Sequence, residues 1–505
     1  MKDPDVVVIG SGPNGLTAAC TLAKRGHRVL VLEANPRRPG GALGSEESTL
    51  PGFVHDVGAG FFPFGRSSPA FRALDLEAAG VVWHNATLES CHPALDGSHA
   101  IIARDIELTR RHFGSERDGD AWRKLALFHR SIEPRLLAAL MEPFPALGPA
   151  LRLGGLALLR IASMFAKSGR RLSRGLFESE AARRVLPALA LHVDVGPDDW
   201  FGSGLGYMLG LTASTGGYAV PRGGAQSLTN GLVTVLERHG GRLQLASRVK
   251  RVVVQGKRAV AVVLENGEEI RAARAVLADT SAPSLCLDLL NGEHQPGFVL
   301  RKMRNFPLGF GTFKVDFALS AAVPWTLPEA RLSAVVHAAE SLDDLSRFVC
   351  QVRAGQLPAQ PYLVVGQQSL LDRSRAPHSA QTLYVYTRVP SELPGGWDAA
   401  REAFADTIVS RIEGLAPGFS ATILARKAHA PNDLERANAN LLGGDLGGGS
   451  NAWNRQLLFR PIFPYFRYRM PVERLYLCSS YAHPGAGVHG MCGYNAARIA
   501  AHDIE

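Results

Sequence analysis

The chain is 505 residues long, 46% apolar and 20% charged, which suits two or three domains with sizeable cores and excludes a disordered protein. Its formal net charge of +9 is uneven: eight Arg or Lys stand against Glu178 and Glu180 within residues 151–184. No aromatics interleave with those basic residues and no nucleic-acid module is evident, so no nucleic-acid partner is expected.

The chain opens on a β-α-β pattern. Val6–Ile9 reads as a buried strand, residues 16–25 as a helix closed by Gly26, and Val29–Leu32 as a second strand ending at Glu33. Residues 76–215 read as long helices with few strand signals, rich in Leu, Ala and Arg. After Gly216-Gly217, a loop from Tyr218 to Gly224 leads into a helix over Ala225–Arg238. Residues 243–245, Val249–Gln255, 259–265 and 268–271 then read as strands of one meander, with Asn266-Gly267 as a hairpin turn. Ala275–Ala278 is another buried strand, leading to Asp279. Residues 300–455 mix strands and helices, and the 443–449 glycine cluster reads as a flexible connection because no strand leads into it. The chain closes with a strand (475–478), a Gly-rich loop (479–493) and a helix (494–502).

Six scattered cysteines without a C-x-x-C pair argue against a zinc site, a dithiol redox centre and a disulfide framework, and suit a reducing cytoplasm. No secretory signal is expected from the polar N-terminus. Residues 147–166 come nearest to a membrane span, but Arg152 and Arg160 interrupt them. Leu151, Leu158 and Phe165 recur at seven-residue steps before a basic tail, 167–174. That pattern suits either peripheral binding to an anionic membrane surface or a core helix lining a cavity.

The chemistry starts at Gly10-Ser11-Gly12-Pro13-Asn14-Gly15, between the first strand and the first helix. Gly10 makes the tight turn, Gly12 lets main chain approach a pyrophosphate, and Gly15 allows close helix–strand packing. The helix N-terminus offers free N–H groups to phosphate. Glu33, 23 positions after Gly10, is placed to accept from a ribose diol. Together these predict a dinucleotide site.

A second cluster follows: Arg37, Arg38, Gly40-Gly41, then Pro51-Gly52-Phe53 and Asp56-Val57-Gly58. Here the chain resembles the phytoene desaturase and carotenoid isomerase family of flavoproteins, related to the amine oxidases. The resemblance covers most of the chain. It continues at Pro221-Arg222-Gly223-Gly224, Arg248-Val249 and Ala278-Asp279-Thr280, and is most specific at Ala482-His483-Pro484-Gly485-Ala486-Gly487-Val488-His489-Gly490 and the helix beyond. Ala482, Ala486, His489 and Cys492 depart from the family's usual Thr, Gly, Thr and Pro, and one extra residue stands between Glu33 and Gly40.

The resemblance implies FAD. It assigns cofactor contacts to Gly10, Gly12, Pro13, Asn14, Gly15, Glu33, Ala34, Arg38, Gly40, Gly41, Ala42 and Gly58, then Val249 and Asp279, then Ser480, Pro484, Gly487, Val488 and Gly490. The implied fold is an α/β Rossmann-type FAD-binding domain built discontinuously from residues 1–75, 216–300 and 456–505. A mixed α+β substrate domain from 76–215 and 301–455 would cover it. No metal and no separate nicotinamide site are expected. His489 and His483, and beside them His192, are the candidate general bases, since histidine titrates near neutral pH.

The implied reaction is hydride transfer to flavin from a lipophilic polyene, isoprenoid or acyl substrate: a desaturase or dehydrogenase, or an isomerase using reduced flavin, with an unassigned electron acceptor. The alternatives are an oxidase of an amine or other small polar molecule, marked by an aromatic cage, and a flavoprotein with a mainly binding role.

Overall fold

Two large sheets organise the computed structural model, which describes residues 3–505. The first is parallel, in the order Leu475–Leu477, Ala275–Ala278, Val6–Ile9, Val29–Leu32, Arg242–Gln244. Its inner strands are fully buried runs of Val, Ile, Leu and Ala, as a sheet covered on both faces requires. Helix Pro13–Ala23 packs against Ala225–Arg238 and Met491–Ile504. Gly493 lies where a Cβ would overlap the Asn14 carbonyl, so the N-termini of the first and last helices can come together. That approach carries the C-terminal loop to the first glycine turn.

The second sheet has seven strands, in the order Ile423–His429, Gly311–Leu319, Gln381–Val389, Leu363–Gly366, Ser333–Ala338, Leu88–Pro93, His99–Ile102. Only the pairing of Ser333–Ala338 with Leu88–Pro93 is parallel. Strand alternation divides its residues between two environments. Phe313, Val315, Phe317, Leu383 and Val385 join a core with Phe404, Ile408 and Ile412 of helix Trp397–Leu415. The intervening Lys314, Asp316, Tyr384, Tyr386 and Arg388 line a cavity between the two sheets.

Three expectations need correction. Arg242–Gln244 is no part of the meander; it forms the parallel sheet's edge, and its partly exposed Arg-Leu-Gln pattern carries no parallel-strand signature. The meander keeps Val249–Gln255, Arg258–Leu264 and Glu269–Arg271. The helical stretch 76–215 contains strands Leu88–Pro93 and His99–Ile102, which pair with a strand far along the chain and each other. Finally, Leu151, Leu158 and Phe165 do not form one stripe. Gly154, at φ +87°, separates Leu147–Leu153 from Gly155–Phe165, and the two helices are bent by 104°. Among the described residues no single helix is long and apolar enough to cross a membrane.

Candidate functional site

A cavity of about 1400 Å³ runs between the sheets, more than the roughly 300–1,000 Å³ of a site for one drug-sized ligand. One part is walled by the ends of the parallel strands. Gly10, Gly12, Pro13 and Asn14 face it, and Gly12, the N-cap of the first helix, offers no side chain to cap the N–H groups behind it. Glu33 also faces the cavity. Its carboxylate accepts from the Ser11 amide (3.0 Å) and hydroxyl and from the Asn35 amide (2.8 Å), which leaves about one of four lone-pair positions for a ligand hydroxyl.

Asp279, at the end of Ala275–Ala278, closes this end. Its Oδ2 accepts from the Gly15 amide at 2.8 Å, and burial, with Glu33 nearby, pushes its carboxyl up to about 7 against the pull of that hydrogen bond. A largely protonated Asp279 adds little repulsion to a phosphate beside it. Gly40 (φ +110°) donates its amide to the Ser11 hydroxyl (3.1 Å), and Arg38 donates to the Gly41 carbonyl (3.2 Å), folding the second glycine cluster onto the first. Ala34, Arg38, Gly41, Ala42, Gly58 and Val249 line the cavity; Gly15 and Gly40 stand behind it. Asn14 Oδ1 is buried without a partner. An uncapped helix end, a carboxylate at the second strand's end and this volume fit a dinucleotide cofactor.

The C-terminal loop supplies another wall. Ser480, Ala486, Gly487 and Val488 face the cavity, and Gly485 and Gly487 have φ of +100° and +113°, where a side chain would be strained. Behind this loop lies buried Arg460, whose guanidinium donates to the carbonyls of Ser480 (2.7 Å), Gly447 (2.8 Å) and Gly448 (2.9 Å). Buried Asp445 accepts from the amides of Gly309, Gly447 and Gly449. The 443–449 cluster is therefore a held loop at the cavity wall and no flexible connection. Arg460 and Asp445 grip it from positions the local sequence does not mark.

The two histidines expected to act as bases do not face the cavity. His489 Nδ1 accepts the Met491 amide at 3.1 Å, where the last helix begins, and the ring is buried beside Phe64. His483 Nε2 lies 3.1 Å from the Glu142 carbonyl. Burial lowers both imidazoles to about 4. Pro484 and Gly490 likewise stand outside the wall and shape the turn. The sequence could place these residues in the flavin-type loop, but not on one face of it.

The substrate-sheet side brings together groups that no sequence motif marks. Tyr386 hydroxyl lies 2.7 Å from His192 Nδ1, and His192 Nε2 lies 2.9 Å from His337 Nε2. His192, the third histidine candidate, does line the cavity, where burial and then Arg388 lower it to about 3. Lys314 donates to both Asp316 oxygens (2.5 and 2.6 Å). Burial alone would raise Asp316, but Lys314, His429 and His55 around it hold its carboxyl well below the usual range. The available signal was charge at alternate positions of an otherwise apolar strand, Phe313-Lys314-Val315-Asp316-Phe317.

Known proteins share both the turn and the arrangement of sheets. A family described as NAD(P)-binding Rossmann-like domain matches residues 8–75, and flavin containing amine oxidoreductase matches residues 160–333. The chain is 29% identical to pyridine nucleotide-disulfide oxidoreductase domain-containing protein 2 of Rattus norvegicus, over 99% of this chain and 94% of that protein. It is 23% identical to a limonene dehydrogenase polypeptide of Castellaniella defragrans, over 100% and 95%. Cyclohexylamine oxidase of Brevibacterium oxydans shares the fold at a TM-score of 0.61 and 17% identity, covering 99% of each chain. The chain belongs to the amine oxidase and phytoene desaturase-like family of FAD flavoproteins. It is an FAD-dependent oxidoreductase of that superfamily.

Proposed function

We propose that this protein is a flavin-dependent dehydrogenase or desaturase of a lipophilic isoprenoid, polyene or acyl substrate. The carrying observation is the two-sided cavity. Opposite the nucleotide turn, its lining includes Phe61, Phe64, Leu205, Leu209, Val335 and Val364, with Tyr218, Tyr384 and Tyr386 among them. Bound FAD supplies the hydride acceptor. The chain's part is to hold a carbon chain there, exclude water and supply few charges. Tyr386 and His192 suit that part. Burial pushes the phenol up to about 12 and the imidazole down to about 3, so at neutral pH both orient a substrate by hydrogen bonding without ionising. Similarity along the whole chain to a dehydrogenase of limonene, an apolar isoprenoid, supports the reading.

Peripheral membrane binding belongs to the same proposal. Leu147, Leu151, Leu156 and Leu159 are 69%, 80%, 88% and 68% exposed on the bent helix pair, with Arg152 and Arg160 alongside. Such a surface suits an anionic bilayer holding an apolar substrate.

An amine oxidase is the second reading. It is favoured by the edge-to-face Tyr384–Tyr386 pair, 5.7 Å between ring centres, and by the ionised Asp316 in the same wall. Anaerobic mixing of the flavin-loaded protein with isoprenoid hydrocarbons and, separately, with primary amines tests the two. Bleaching of the flavin by hydrocarbons alone supports the first reading; bleaching by amines alone replaces it. Bleaching by no substrate across both classes would favour a mainly binding role.

A further inference from the structure

Away from the cavity, three side chains from separate elements converge at the edge of the substrate sheet. His99 begins the edge strand His99–Ile102, His112 follows helix Ile106–Arg111, and Glu329 lies in the short helix Pro328–Arg331. The backbone holds them together. Ile101 donates its amide to the His112 carbonyl (3.1 Å), Ala100 bridges Phe113, and Pro328–Arg331 packs on strand Leu88–Pro93. Glu329 Oε1 stands 3.9 Å from His99 Nε2 and 3.8 Å from His112 Nδ1, and the three ligand atoms lie within 4.8 Å of one another.

These atoms share no hydrogen bond, since both distances are too long. A second contact fixes what His99 presents. Its Nδ1 lies 3.2 Å from the Gly97 carbonyl, which can only accept, so Nδ1 carries the hydrogen and a neutral ring turns the Nε2 lone pair toward Glu329. That is how a metal-ligating histidine is ordinarily oriented: its other nitrogen donates to a backbone carbonyl. Two imidazole nitrogens and a carboxylate oxygen thus point at one place, with no proton assigned between His99 and Glu329.

We propose that His99, His112 and Glu329 bind a divalent transition ion of the zinc type, with water completing the coordination. Bonds of about 2.0–2.2 Å in a tetrahedron place ligand atoms roughly 3.4 Å apart, so modest side-chain movement closes the set. None of the three lines the cavity. The ion is therefore a clamp joining the edge strand to two helices, and it takes no part in the redox chemistry.

The test is calorimetric titration of chelator-stripped, FAD-loaded protein with zinc chloride, with cobalt(II) absorbance as a second readout. One saturable site with a tetrahedral cobalt spectrum is expected. His112→Ala and Glu329→Gln should each weaken it at least about tenfold while flavin content stays unchanged. Cys350→Ser removes the exposed thiol and should leave binding intact. Absence of saturable zinc binding, binding unaltered in both ligand variants, or binding lost with Cys350 would each overturn the proposal.

Discussion

Gly12 and Gly15 make different demands, and alanine at each should separate folding from cofactor binding. A Cβ on Gly15 would fall more than half an ångström inside the 3.0 Å limit to the main-chain oxygen of Gly10, and would also press on Asp279. No rotamer relieves a contact with main chain, so the turn and the helix must part. Overpacking of this kind costs about 1–3 kcal/mol. Alanine's better helix propensity returns about 1 kcal/mol, leaving a net loss of about 2 kcal/mol if the rigid turn draws the upper cost. A Cβ on Gly12 would instead strike Oδ2 of Asp279, the far end of a side chain that can turn away. Turning costs the bond to the Gly15 amide, about 1 kcal/mol. Yet this Cβ would also stand where the pyrophosphate approaches. Gly12→Ala should therefore destabilise the apoprotein less than Gly15→Ala, and each should weaken FAD binding at least about tenfold, or 1.4 kcal/mol. Urea unfolding of the apoproteins and fluorescence titration with FAD measure the two effects. Equal stability of the Gly15→Ala and unaltered chains, or full FAD affinity in Gly12→Ala, would refute the reasoning.

His489→Ala should remove the acceptor of the Met491 amide, lowering stability by about 1–3 kcal/mol. In the FAD-loaded fraction, reduction should slow by less than the 10²-fold typical of a lost general base; a loss that large would return His489 to the chemistry. Histidines 55, 483 and 489 titrate near 4, and 92 and 192 near 3, all lowered first by burial, so each stabilises the fold fully above about pH 6.5 and loses that contribution as pH falls toward its folded value. Asp279, raised to about 7, runs the other way, its contribution present below about pH 4 and lost as pH rises to 7. Urea midpoints should therefore fall steeply between pH 6.5 and 4, and Asp279→Asn should make that fall steeper; a flat profile would contradict the buried neutral histidines. Tyr386→Phe should raise KM up to about tenfold with a smaller change in kcat, as for one positioning hydrogen bond, and an unaltered KM would exclude the contact. Leu156→Glu with Leu159→Glu should abolish sedimentation with anionic vesicles, and undiminished sedimentation would remove this surface from membrane binding.

The sequence by itself determined the nucleotide half of the molecule. Val6–Ile9, the Gly10–Gly15 turn and Glu33 are contiguous, and their geometry follows from local chemistry: tight turns need glycine, and a covered parallel strand needs an unbroken apolar run. The C-terminal loop was legible for the same reason, through closely spaced glycines before a helix. Which of its residues face the ligand was not legible, because His489 is turned inward by one bond to Met491 and Arg460 reaches the loop from behind. Only tertiary structure decided the substrate half. Lys314, Asp316, Tyr384 and Tyr386 share a wall because Gly311–Leu319 pairs with Gln381–Val389 in a single register, across a separation no local pattern spans. His192 meets Tyr386 from 194 positions away. Side-chain alternation says which residues of a strand share a face; strand pairing alone decides what that face meets.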